Sequence, residues 1–162
     1  MAAARLSTIQ GILVALIVAE QARAGSLLAG IPLAREQFGF MDPASSENTD
    51  AIMVRATSDG GSGMVIYFPY PILTLGASTL NGRATVRCLV PVFLLVNPEQ
   101  NERGTGGLNR DPLEVVQSIW SAVIAKARGP DSFELGSSPM GIPSDESSIR
   151  SYPIDFECML II

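Results

Sequence analysis

Near the start of the chain, apolar residues fall at Ile9, Ile12, Leu13, Leu16 and Ile17. This is the i, i+3, i+4, i+7, i+8 spacing of a helix with one face turned to a core. The stripe predicts a helix over residues 7–24, with Gly25 as its stop. Val14 and Val18 lie off the stripe, so the helix is apolar on more than one side. The stretch GIPLAREQFGF then reads as a turn leading to a short strand or extended arm, and MDPASSENTD as a loop. Two β-rich runs follow, AIMVRAT (51–57) and MVIYFPYPILTL (64–75), around a glycine-rich connector; together they predict a hairpin. Pro69 and Pro71 cannot donate to a ladder, so the second run bulges or peels away there. Asn81-Gly82-Arg83 is a further turn signal.

Residues 83–96 carry the longest alternating pattern. Ala84, Val86, Cys88, Val90, Val92, Leu94 and Val96 make one apolar face. The opposite face begins polar (Arg83, Thr85, Arg87) and ends apolar (Leu89, Pro91, Phe93, Leu95). The run at 152–162 repeats the design, with Ile154, Phe156, Cys158, Leu160 and Ile162 on one face and Asp155 and Glu157 giving way to Met159 and Ile161 on the other. Period two marks a half-buried strand, and loss of alternation means that the second face is covered too, by a helix or a neighbouring subunit. Between these strands, Asp111-Pro112-Leu113-Glu114 is a helix start, with Asp111 as cap, Pro112 at the first position and Glu114 completing a capping box. Val116, Ile119, Trp120, Val123 and Ala127 share one face, and Gly129-Pro130 ends the helix. Residues 129–151 read as a long, turn-rich loop. The expected fold is α+β: a mixed, mainly antiparallel sheet with an N-terminal helix and a second helix packed on it, all in one domain over residues 1–162.

Composition narrows the function. Of 162 residues, 47% are hydrophobic and 17% charged, which suggests apolar surface covered by partner subunits. The net charge of -5 argues against gripping nucleic acid through a broad basic face. It remains compatible with an acidic wall that DNA slides past. The chain has no histidine, which removes histidine acid–base catalysis, Ser–His and Cys–His pairs and most catalytic zinc sites. Cys88 and Cys158 are too few and too far apart in sequence for a metal motif or a disulfide framework. They read as buried small apolar residues in a reducing compartment, a single bridge being the alternative. The N-terminal stretch has features of a signal peptide, with Arg5, an apolar run and Ala-Arg-Ala before Gly25. Glu20, Gln21 and Arg23 instead continue a helix, and the apolar run is too short to span a bilayer.

The passage NPEQNERGTGGLNRDPLE (97–114) raises the question of a phosphate site, since a strand empties into a glycine-rich loop and then a helix. A Walker loop needs a lysine and a Ser or Thr at the helix start, whereas Gly106-Gly107 is followed by Leu-Asn-Arg-Asp-Pro. Pro112 removes a backbone donor, and Asp111 places a carboxylate where the anion would sit. Asp145/Glu146 and Glu99/Glu102 could pair as carboxylates, though charge in loops is usually solvation. Ser137, Ser138, Ser147 and Ser148 have no visible base. Trp120 and Phe93 read as core, and Arg83 and Arg87 as surface partners of Asp155 and Glu157.

The order of helix, β-rich middle, apolar strand ending in VNPEQNERGTGG, helix DPLEVVQSIWSAVIAKA and final strand resembles phage tail terminator proteins, the tail-completion or head–tail joining proteins of long-tailed phages. The shared passage places Asn97, Pro98, Asn101, Gly104, Thr105 and Gly106 on the family's strand–loop–helix pattern. The resemblance spans most of the chain in element order and residues 86–127 in sequence character. It implies a homo-oligomeric ring, usually a hexamer, on the last ring of the tail tube. There it would stop polymerisation and offer its opposite face to the head-completion protein. DNA would pass the lumen without sequence-specific binding. The protein would be a virion component assembled in the host cytoplasm, neither an enzyme nor a membrane protein, and without cofactor or metal. Another neck or tail-tube protein is the nearest alternative; a small carboxylate-dependent enzyme and a secreted binding domain are more distant ones. The loop is expected at a subunit or tail-tube interface through Asn97, Asn101, Arg103, Gly104, Thr105, Gly106 and Arg110, with Arg103 and Arg110 meeting carboxylates.

Overall fold

Two long strands carry the molecule, β4 (Arg83–Val96) and β7 (Ile149–Ile161), paired antiparallel from Thr85↔Ile161 to Val96↔Arg150. The computed structural model describes residues 6–35, 49–69, 73–80, 82–124, 133–140, 144–146 and 148–161. The other edge of β4 is taken by β2 (Met64–Phe68) at one end and β3 (Leu73–Leu80) at the other, both antiparallel. β1 (Leu33–Arg35) adds outside β2 in parallel, while β5 (Phe133–Met140) and β6 (Ser144–Glu146) pair with β7. The result is a seven-stranded sheet of order β1-β2-β4-β7-β5, with β3 on β4 and β6 on β7. The sheet is mainly antiparallel, and the fold is the α+β arrangement that the sequence pattern predicts.

Period two decides which residues go inside. Cys88, Val90, Val92, Leu94 and Val96 of β4 are buried with Tyr152, Ile154, Phe156 and Cys158 of β7. Helix α1 (Leu6–Gln21) buries Ile9, Leu13 and Ile17 in the same cluster, the stripe expected of it. A helix over residues 112–124, Pro112–Ile124, adds Val115, Val116, Ile119, Ala122 and Val123 and packs on α1. Each such Val, Leu or Ile stabilises the fold by roughly 1.5–3 kcal/mol relative to exposure. Trp120 packs at the margin of this cluster and is half-buried, as is Phe93 beside Tyr67 on the other face, so neither is a fully enclosed core residue.

The run 51–57 is not a strand. Thr49–Thr57 forms helix α2, so the expected hairpin around the 58–63 connector is replaced by a helix-to-strand turn. Ile52, Met53 and Ala56 lie at i, i+1 and i+4, a helical face that packs on Val65, Ala34, Tyr67 and Leu95. A helix of the same chain therefore covers the second face at this end. The hairpin forms instead between β3 and β4, where Leu80 pairs with Arg83 and Gly82 takes φ 75, a left-handed value that suits glycine. The expected strand 64–75 stops at Phe68, directly before Pro69.

The stretch 129–151, expected as a loop, holds β5, β6 and the first three residues of β7, Ile149, Arg150 and Ser151. β5 and β6 both pair with β7 alone among the described strands, and β5 shifts register between Leu135 and Met140. Gly136, Ser137 and Pro139 suit a sheet edge, where a lost ladder bond costs little. Cys88 and Cys158 lie directly opposite each other as buried thiols with no disulfide between them. Burial pushes the Cys88 thiol up from its ordinary pKa, partly offset by its hydrogen bond with Cys158. The expected loop at 41–50 gives its last two residues, Thr49 and Asp50, to α2; its residues 41–48 and the features at Arg5, Pro71, Ala127 and Gly129-Pro130 lie outside the described residues.

Candidate functional site

The segment after β4 opens with a short helix that the sequence pattern did not predict, α3 (Pro98–Arg103). Asn97 caps it: its Oδ1 accepts from the Gln100 amide at 3.2 Å, while its Nδ2 donates to the Thr57 carbonyl at 2.8 Å. Pro98 occupies the first turn, where its missing amide hydrogen costs nothing. With α3 named, Pro112–Ile124 becomes α4. Asp111 Oδ1 accepts from the Leu113 amide at 2.9 Å, so its carboxylate occupies the start of α4. An anion is thereby disfavoured at the one helix start in this segment that resembles a phosphate site.

The remainder of the segment is tied down by side chains that reach backbone. Gln100 is buried and its Nε2 donates to the carbonyls of Gly61 at 2.7 Å and Thr105 at 2.9 Å. Asn101 is buried and exchanges two bonds with the Arg110 backbone. Arg110 Nη1 donates to the carbonyls of Leu27 and Ala29, in the connection between α1 and β1. Main-chain bonds run from Asn97 to Gly63 at 2.9 Å, from Leu108 to Ser62 at 3.1 Å and from Asn109 to Asn101 at 2.8 Å. The 97–111 and 58–63 segments thus form one hydrogen-bonded unit at the end of the sheet.

Glycine is required where these two segments touch. A Cβ on Gly63 would overlap the Asn101 backbone, and one on Gly106 would come within 2.8 Å of the Gly60 carbonyl. Gly63 and Gly106 also adopt φ 77 and 86, values that L side chains rarely take.

Of the seven residues expected at an interface, the structure divides two from five. Asn97, Asn101, Gly104, Gly106 and Arg110 build the segment, Gly104 packing against the Gln100 side chain. Arg103 and Thr105 are exposed. Arg110 directs Nη1 to backbone carbonyls, whereas it was expected to meet a carboxylate. Arg103 stands between two open grooves. One, of ≈ 570 Å³, is lined by Glu102, Arg103, Asn109, Arg110, Asp111 and Pro112. The other, of ≈ 160 Å³, is lined by Asp59, Asn97, Glu99, Gln100, Arg103 and Gly104. Both mix charges of each sign on a polar surface, which suits ionic contacts with another macromolecule better than enclosure of an apolar ligand.

The carboxylates elsewhere are placed as follows. Glu157 meets Arg87 at 3.4 Å, and Arg87 is more than half exposed, so the pair stabilises little. Asp155 is held above its ordinary pKa, by burial first and then by the neighbouring Glu157 carboxylate. The side chains of Arg83, Asp145 and Glu146 lie outside the described residues. Among the described residues no group of three or more His, Cys, Asp or Glu could hold a metal ion, and no helix is long and apolar enough to cross a membrane. No family model matches the chain, and no curated protein matches it in sequence.

Sequence reasoning missed Gln100 and the whole 58–63 partner segment. The glycines at 60, 61 and 63 were visible as a turn, but nothing local says that the turn packs against residues some 39 positions away.

Proposed function

We propose that this chain is a structural virion protein that forms a ring at the head-proximal end of a long phage tail. It ends polymerisation of the tail tube and joins the tail to the head-completion protein. The observation that carries this reading is the strand–loop–helix passage at 86–127, whose family-like Asn97, Asn101, Gly104 and Gly106 are the residues that make the loop rigid. A loop fixed in this way presents Glu99, Glu102, Arg103 and Thr105 outward in a set geometry. Preorganisation of that kind lowers the ordering cost of a protein contact.

Helix α1 supports an assembled state. On its outer face Ala15, Val18 and Ala19 are exposed, with Val18 at 46% exposure. Apolar residues on the outer side of a helix whose inner side is already in the core suit cover by a partner. Met159, on the opposite face of the sheet near the end of β7, is a separate exposed apolar residue at 51% exposure. The net charge of -5 suits a lumen that DNA passes without adhering. In this reading the assembly is a hexamer with no cofactor, and catalysis has no part in it.

Purified protein added to elongating tail tubes provides the test. Tubes should stop lengthening at sub-stoichiometric amounts of added chain relative to tube subunits. Uninterrupted growth contradicts termination, and incorporation along the whole tube points to a tube protein instead.

A further inference from the structure

Sheets with bare edges recruit other strands, and proteins usually blunt those edges with charge, proline or shortness. Two edge strands here are blunted: β1 has three residues and includes Arg35, and β6 has three and includes Asp145 and Glu146. β3 is not. It runs for eight residues, Leu-Thr-Leu-Gly-Ala-Ser-Thr-Leu, with no charge and no proline. One side bonds to β4, and among the described residues no strand lies on the other. Ala77 and Thr79 are exposed, and a Cβ on Gly76 would meet nothing within 4 Å. After the irregularity at Thr74/Gly76, register is regular from Gly76↔Arg87 to Leu80↔Arg83. At the opposite side of the sheet, eight-residue β5 ends the strand order with no further strand among the described residues, and Glu134 and Pro139, near its two ends, blunt that edge only in part.

We infer that copies of this chain join edge to edge, the free edge of β3 in one copy pairing with the free edge of β5 in the next. The inference rests on the ring reading and names its seam. A two-fold β3–β3 contact would leave β5 bare, whereas a head-to-tail contact covers both edges and repeats around a closed ring. Charge permits it, since Glu134 of β5 meets no carboxylate on β3. The amides and carbonyls of β3 on the side away from β4, which have no strand partner among the described residues, would find partners across the seam.

The test places lysines on the edge. Ala77→Lys with Thr79→Lys alters two exposed positions and should leave the circular dichroism of the folded chain unchanged. Light scattering should show the parent as a multimer and the variant at the mass of one chain. A variant that remains multimeric overturns the seam while leaving the ring reading intact; a parent that is monomeric at every concentration removes both. Hydrogen exchange on the parent gives a second reading should the variant unfold. The β3 and β5 amides should be protected together in the assembly and lose that protection together on dilution. Protection of β3 without β5 overturns head-to-tail pairing, and protection that persists in the monomer shows an edge covered within one chain, which also overturns it.

Discussion

Asn101 and Arg110 are locked together by two hydrogen bonds: Asn101 Nδ2 donates to the Arg110 carbonyl at 2.9 Å, and the Arg110 amide donates to Asn101 Oδ1 at 3.3 Å. The side-chain amide thus serves as a small piece of ladder that closes the 97–111 segment on itself. Asn101→Ala leaves both backbone groups without this partner at a buried site, which costs about 1–3 kcal/mol. For a chain of this size that is about 2–4 °C of melting temperature per kcal/mol. Asn101→Asp keeps the acceptor, lacks the donor and should also destabilise. Denaturant unfolding of the three proteins checks this, and a loss below about 0.5 kcal/mol in both variants, the range of a neutral surface change, contradicts it.

Arg103 and Arg110 should separate cleanly. Arg110→Ala removes donors to the Leu27 and Ala29 carbonyls and should lower stability by about 1–3 kcal/mol. Arg103→Ala alters an exposed side chain and should change stability by no more than about 0.5 kcal/mol. Under the proposed function, Arg103→Ala weakens attachment to the tail tube in a pull-down while the fold is untouched. Equal attachment by parent and Arg103→Ala would assign Arg103 to solvent.

The parts of the fold legible in sequence are those where one periodicity ran long. The pattern at 83–96 predicts β4 at its observed bounds, and the stripes at Ile9–Ile17 and Val116–Val123 predict two helices that do pack together. Residues 51–57 mislead because Ile52, Val54 and Thr57 favour strands by composition, while the placement of Ile52, Met53 and Ala56 on one helical face decides the outcome. β5 and β6 were illegible because their glycine, serine and proline content is that of loops; pairing with β7 makes them strands. In the candidate segment 97–111, the Asn- and Gly-rich composition is plain in the sequence. It could not separate Asn101, whose amide is turned inward, from Arg103, which faces solvent, because the bonds that decide this cross from other parts of the chain.

Gly63 should be among the least replaceable residues. Gly63→Ala imposes a left-handed φ on an L residue and drives its Cβ into the Asn101 backbone. The conformation alone costs on the order of 1–2 kcal/mol, and the overlap adds to it. Gly25→Ala carries a similar φ of 74 with nothing within 4 Å, so it isolates the conformational part. Thermal unfolding should rank Gly63→Ala well below Gly25→Ala; equal losses would mean that the contact between the two segments contributes nothing.

Asp155 gives a pH dependence of defined sign. Its pKa is raised in the folded chain, so the folded state binds a proton more readily than the unfolded state. Stability from this group is therefore present below its unfolded pKa and falls as pH rises through the folded value. Asp155→Asn should raise the melting temperature at neutral pH, and the gain should shrink as pH falls toward about 4, where the unfolded carboxyl titrates. A gain that grows on acidification would reverse the assignment.

Electron imaging of tails assembled with a gold-labelled form of this chain tests the central claim most directly. The account predicts label confined to the head-proximal end of each tail, on a ring with an open lumen, and absent from the tube wall. Label distributed along the tube, or tails that complete and join heads without the chain, contradicts it.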